Sequence, residues 1–179
     1  MSNSDWSAKH GNVEVKGFVK AWIALSKILA WPFIKFRITP NQITFLSILV
    51  SIPIIFSPEL WWLVLLALVL DGIDGRVALA TKSATKFGAI FDSIADRIVE
   101  FIWACALISF GVNTNVTFAF LILGWVQEYL RARAGGLGYR EIGIVTICER
   151  PTRTIFILLA LLISSFKSSF IFIGLFVQL

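Results

Sequence analysis

Asp71, Asp74, Asp92 and Asp96 interrupt two long apolar runs. Ionised carboxylates at membrane depth are rare and mark an ion, metal or proton site. Asp71 and Asp74 are spaced i, i+3, and Asp92 and Asp96 i, i+4, so each pair shares one face of a helix. Between the runs lies the short polar string Thr81-Lys82-Ser83-Ala84-Thr85-Lys86, which makes the two helices antiparallel neighbours and gathers the pairs into one cluster. Like charges that close cannot all ionise in a low-dielectric setting without protons or cations. With no histidine or thiolate nearby, an oxygen-only ligand set favours Mg²⁺, Mn²⁺ or Ca²⁺ over zinc. Gly72, Gly75 and Gly88 remove side chains beside the acids and permit close approach of a helix or a ligand.

The surrounding chain predicts an integral membrane protein. Of its 179 residues 58% are hydrophobic and 15% charged, and the mean hydropathy is +0.84, which leaves too little polar surface to cover a soluble globule. The net charge of +5 comes from basic residues scattered between apolar runs, so it points to a membrane and not to nucleic acid. Apolar runs at 41–57, 59–81, 87–111, 115–135, 152–166 and 168–179 predict an all-α bundle of about six transmembrane helices. A span takes ~20 residues, because a helix rises ~1.5 Å per residue through a ~30 Å hydrocarbon core. The second, third and fourth runs meet that length, the first and fifth need their flanks, and the last is too short alone. Ahead of them, Val13 to Phe36 carries Val15, Phe18, Val19, Trp22, Ile23, Leu25 and Ile28 at helical spacing among Lys16, Lys20, Lys27 and Lys35, with Arg37 just beyond. That pattern suits an amphipathic helix in the headgroup plane. Thr39 is placed to cap the next helix, with Pro40 in its first turn.

The organisation expected is therefore a tail and juxtamembrane helix over 1–38 and a transmembrane domain over 39–179, with no internal repeat. No apolar stretch directly follows a basic start, so the N-terminus is expected to be retained, with His10 solvated in it. Lys and Arg concentrate in the N-terminal segment and in the second and fourth loops, which places the N-terminus and the acidic cluster on the cytoplasmic side of the cytoplasmic membrane. Cys105 and Cys148 lie in apolar sequence without metal-ligand spacing and are read as packed free thiols.

The full string is Asp71-x2-Asp74-Gly75-x2-Ala78-x9-Gly88-x3-Asp92-x3-Asp96. It resembles the signature of the CDP-alcohol phosphotransferase family, D-x2-D-G-x2-A-R-x8-G-x3-D-x3-D, at every fixed position but one: Leu79 stands where the family has arginine. Thr39-Pro40-Asn41-Gln42-Ile43-Thr44 resembles the segment before the family's first membrane helix. Tyr129 to Ala134 and Glu149 to Arg153 resemble stretches of the phosphatidylinositol-phosphate and archaetidylinositol-phosphate synthase branches, so the likeness spans roughly 39 to 160. The resemblance implies transfer of a phosphatidyl group from a membrane CDP-alcohol, such as CDP-diacylglycerol, to the hydroxyl of a polar acceptor, with release of CMP. It further implies that Asp71, Asp74 and Asp92 hold Mg²⁺ or Mn²⁺, two ions in all, with Asp96 beside the metal as general base. By the same resemblance Asn41, Gly75, Ala78, Thr85 and Gly88 line the nucleotide site, and the protein is a homodimer in contact with membrane lipids.

Arg131 and Arg133 close the fourth run, and Arg150 and Arg153 open the fifth. Guanidinium forks match phosphate bidentately, so these four are candidate ligands for an acceptor that carries its own phosphate, such as inositol phosphate or glycerol phosphate. Obedience to the positive-inside rule is the plainer alternative for each. Arg97 and Glu100, spaced i, i+3, are expected to pair with each other. Trp61, Trp62, Trp103 and Trp125 suit either an interface between protomers or an interfacial belt. An ion-coupled transporter remains the alternative from another class, because acids within membrane helices also build ion pathways. Leu79 leaves open a non-catalytic relative that binds nucleotide or lipid.

Overall fold

The computed structural model describes residues 17–138, 150–162 and 167–178, and all regular structure among them is helical. Helices α1 (Gly17–Lys35), α2 (Pro40–Ser51), α3 (Trp62–Ala80), α4 (Lys86–Ser109), α5 (Thr114–Gly136), α6 (Arg150–Leu162) and α7 (Lys167–Gln178) follow in order, with two 3₁₀ turns, Ile52–Ile55 and Pro58–Trp61, between α2 and α3. Each of the six apolar runs thus contains one helix, α2 to α7. His10, Cys148 and the start of the amphipathic stretch at 13–16 lie outside the described residues, as do the side chains of Phe18, Val19, Trp22 and Ile23.

Helix boundaries follow from local chemistry. Thr39 and Gln42 form a capping box at the start of α2: the Thr39 N–H donates to Gln42 Oε1 at 2.8 Å and the Gln42 N–H to Thr39 Oγ1 at 3.4 Å. Thr85 caps α4 by accepting from the Gly88 N–H at 2.9 Å, and Asn113 caps α5 by accepting from the N–H groups of Asn115 and Val116. At the C-terminus of α3, Lys82 takes a left-handed φ of 54°, and the Ser83 N–H reaches back to the Ala78 carbonyl at 2.9 Å. This closing turn reverses the chain within five residues and brings α4 back beside α3.

Among the described residues no single helix is both long and apolar enough to cross a membrane, although Ala24–Lys35 and Pro40–Ile55 together, as a bent pair, are. The expectation that the second to fourth runs span unaided rested on length; α3, α4 and α5 have 19, 24 and 23 residues. The acids, basic residues and amides that carry the chemistry lower their apolarity. Large apolar side chains nonetheless face outward, including Phe87, Ile90, Ile94, Ile98 and Phe101 along α4.

The chain divides into two compact units, Met1–Ile48 with Ala67–Asp96, and Leu49–Leu66 with Arg97–Leu179. In the first, Ile43, Ala67, Leu70, Ile73, Val77 and Ala95 are buried. In the second, α7 packs on α5 and α6, and α6 meets the Pro58–Trp61 turn. Trp103 is fully buried, which removes it from any protomer interface or belt, and Trp125 commits its indole N–H to Glu100 Oε2 at 2.8 Å.

Candidate active site

All four aspartates fall in the first unit. Asp71, from α3, and Asp92 and Asp96, from α4, each offer a carboxylate oxygen, and these oxygens lie within 4.8 Å of one another. Three partly buried carboxylates at that spacing form a hard, oxygen-only donor set, which fits Mg²⁺ or Mn²⁺ and which mutual repulsion disfavours without a cation. Asp74 is not part of this trio. It is buried, accepts a short hydrogen bond from Thr44 Oγ1 of α2, and lines an adjoining pocket together with Asp92.

That pocket has a volume of about 270 Å³. Asn41, Gly75, Ala78, Thr85 and Gly88, five positions singled out in the sequence, all line it. Gly88 is needed by its neighbours: a Cβ there would meet Thr85 Oγ1 at 3.1 Å and Asn41 Oδ1 at 3.2 Å. At Gly75 a Cβ would meet nothing within 4 Å, so its missing side chain widens the pocket and does not serve helix packing. Leu79 also lines the pocket, 37% exposed, and neither Arg76 nor Lys82 does.

The arginine candidates lie in the second unit, and Arg131, Arg150 and Arg153 stand around two glutamates. Glu100 of α4 is buried and accepts from Arg153 Nη2 at 3.0 Å and from Trp125, while Arg97 Nη1 stands at 3.6 Å and Arg150 Nε at 3.9 Å. The expected Arg97–Glu100 pair is therefore present, inside a larger network. Arg153, 3% exposed, also reaches Glu128 Oε1 through Nη1 at 3.4 Å, and Glu128 lies 3.9 Å from Arg131. Arg133 is exposed. Spacing could not reveal Glu100 and Glu128 as the hubs of this group, because their contacts to Arg153 cross from one helix to another.

Residues 37–179 match the CDP-alcohol phosphatidyltransferase family. The chain belongs to that family. It is 35% identical over 144 residues to the archaetidylinositol phosphate synthase of Pyrococcus horikoshii, covering 73% of this chain and 72% of that protein. It is 40% identical over 102 residues to the CDP-diacylglycerol–serine O-phosphatidyltransferase of Helicobacter pylori strain J99, covering 49% and 43%. The fold is similar to that of the phosphatidylinositol phosphate synthase of Mycobacterium tuberculosis, solved in complex with manganese and citrate, with a TM-score of 0.71, 24% identity and coverage of 86% and 83%. Family membership makes this phosphatidyltransferase an enzyme of phospholipid biosynthesis and sets aside the ion-coupled transporter. One of these relatives is named as an archaetidylinositol phosphate synthase and the other as a serine O-phosphatidyltransferase, so the acceptor must be sought in this chain's own side chains.

Proposed function

We propose that this phosphatidyltransferase moves a phosphatidyl, or similar lipid-phosphate, group from a membrane CDP-alcohol such as CDP-diacylglycerol to the hydroxyl of a phosphorylated polyol, inositol phosphate or glycerol phosphate. The observation that carries this reading is the carboxylate trio beside a pocket lined by Asn41, Gly75, Ala78, Thr85 and Gly88. Asp71, Asp74, Asp92 and Asp96 hold two Mg²⁺ or Mn²⁺ ions, which supply charge neutralisation for the diphosphate and for the departing CMP. The pocket takes the cytidine nucleotide. The acceptor oxygen attacks the lipid-side phosphorus, the bond to the CMP oxygen breaks, and Asp96 takes the hydroxyl proton. Four guanidiniums, those of Arg97, Arg131, Arg150 and Arg153, against the two carboxylates Glu100 and Glu128 favour an anionic acceptor. Arg131, Arg133 and Arg150 keep exposed surface for its phosphate, and Arg153 is tied from within to Arg131 through Glu128 and to Arg150 through Glu100. The protein works as a homodimer, with the tail and amphipathic helix over 1–38, a six-helix membrane domain over 39–179, and the site facing the cytoplasm.

Incubating purified protein with CDP-diacylglycerol, Mn²⁺ and a panel of inositol phosphate, glycerol phosphate, inositol and serine tests this. CMP and a new phosphorylated lipid are expected with the phosphorylated acceptors; activity restricted to inositol or serine would remove the arginine cradle from the proposal. Leu79 gives a second prediction. Among the described residues no Lys or Arg lines the pocket, so Leu79→Arg adds a guanidinium where the donor diphosphate enters, and charge-assisted hydrogen bonding is expected to lower the KM for CDP-diacylglycerol roughly tenfold. A rise in KM instead would show that the leucine side chain packs against the substrate.

A further inference from the structure

Thr44 lies one turn along α2 from Pro40 and is 3% exposed. Its Oγ1 has two acceptors in reach: the Pro40 carbonyl at 3.1 Å on its own helix, and Asp74 Oδ2 on α3. A hydroxyl carries one proton and can donate to one of them at a time. Bonding back to the i−4 carbonyl is the usual recourse of a threonine inside a helix, but here the contact to Asp74 is the shorter of the two. The hydroxyl therefore donates to Asp74. The two sit thirty positions apart in the chain, and α2 contributes none of the three trio carboxylates.

Carboxylates that bind cations are themselves held by hydrogen-bond donors, and loss of such a donor typically costs 10–100-fold in metal affinity. Asp74 is outside the trio whose oxygens lie within 4.8 Å, but it shares the pocket wall with Asp92 and takes its donor from another helix. We infer that Thr44 is a positioning residue of the cation site: by holding Oδ2 it fixes the rotation of the Asp74 carboxylate, the orientation in which this acid would serve a divalent cation. The inference rests on the reading of the aspartates as a cation site.

The test is Mn²⁺ binding to the full-length protein without donor or acceptor, followed by the electron paramagnetic resonance signal of free Mn²⁺. Thr44→Val replaces the hydroxyl by a methyl of similar size and is expected to raise the Kd for Mn²⁺ roughly tenfold or more. Thr44→Ser keeps the donor and is expected to bind Mn²⁺ like the parent. A Thr44→Val protein that binds like the parent would overturn the inference, and so would a Thr44→Ser protein as weak as Thr44→Val, since the methyl and not the hydroxyl would then matter. If Thr44→Val is too unstable to purify, the rise in Tm on adding Mn²⁺ decides: it should be smaller for Thr44→Ala than for Thr44→Ser, and equal rises would sink the inference. Asp92→Asn separates the two levels. If it binds Mn²⁺ as tightly as the parent, or if the parent does not bind at all, the cation site itself is wrong.

Discussion

Asp96→Asn is expected to lower kcat by about 10²- to 10⁴-fold even at saturating Mn²⁺, the range lost when a positioned general base is removed. The amide matches the carboxyl in shape but cannot take the acceptor's proton. Asp96 also belongs to the trio whose oxygens lie within 4.8 Å, so the substitution weakens cation binding as well. Mn²⁺ concentration separates the two effects. An affinity defect is overcome by adding cation, whereas a missing base is not. Asp71→Asn supplies the contrast, with most of its loss expected to be recovered at high Mn²⁺. Full activity of Asp96→Asn at saturating cation would show that another group takes the proton.

The second large effect concerns stability. Arg153→Met is expected to destabilise the fold by roughly 3–5 kcal/mol, the usual cost of stripping one partner from a buried ion pair. The Arg153 and Glu100 side chains are 4% and 6% exposed and meet at 3.0 Å, so the substitution takes the shortest ion pair from a buried carboxylate. Trp125 would still donate to Glu100, and Arg97 at 3.6 Å and Arg150 at 3.9 Å would remain beside it, but none of them replaces the 3.0 Å guanidinium contact. Arg153 also lies flat on α5: a Cβ at Gly124 would meet its Cδ and Nε at 3.0 Å, which explains a glycine in the middle of that helix. Thermal unfolding in detergent should show Tm lower by roughly 6–20 °C for a chain of this size. Adding Glu100→Gln to Arg153→Met should recover part of the loss, because the buried carboxylate that Arg153 neutralised is then gone as well. An unchanged Tm for the single variant would mean that the network is weaker than its geometry indicates.

Much of this protein was legible from the chain because the features concerned are local. The face shared by Asp92 and Asp96, the Thr39 cap, the Arg97–Glu100 pair and one helix in each apolar run all depend on residues within a turn or two of each other, and helical periodicity fixes such relations. The resemblance added the pocket residues, and Asn41, Gly75, Ala78, Thr85 and Gly88 do line one cavity. What spacing could not supply was the donor that each acid finds. The four aspartates were expected to gather, and a carboxylate with two rotatable bonds turns toward whatever donor tertiary packing presents. Packing brought α2 against α3, and Asp74 turned to Thr44 while Asp71, Asp92 and Asp96 gathered. The same holds for Arg153, a surface phosphate ligand by its place at a helix start, which packing buried between glutamates 53 and 25 residues away. The helices, the acids and the faces they share are set by neighbours along the chain and can be read from it. The partners of each charged group come from the fold, because a buried charge is held by whichever distant residues the packing brings within hydrogen-bond reach.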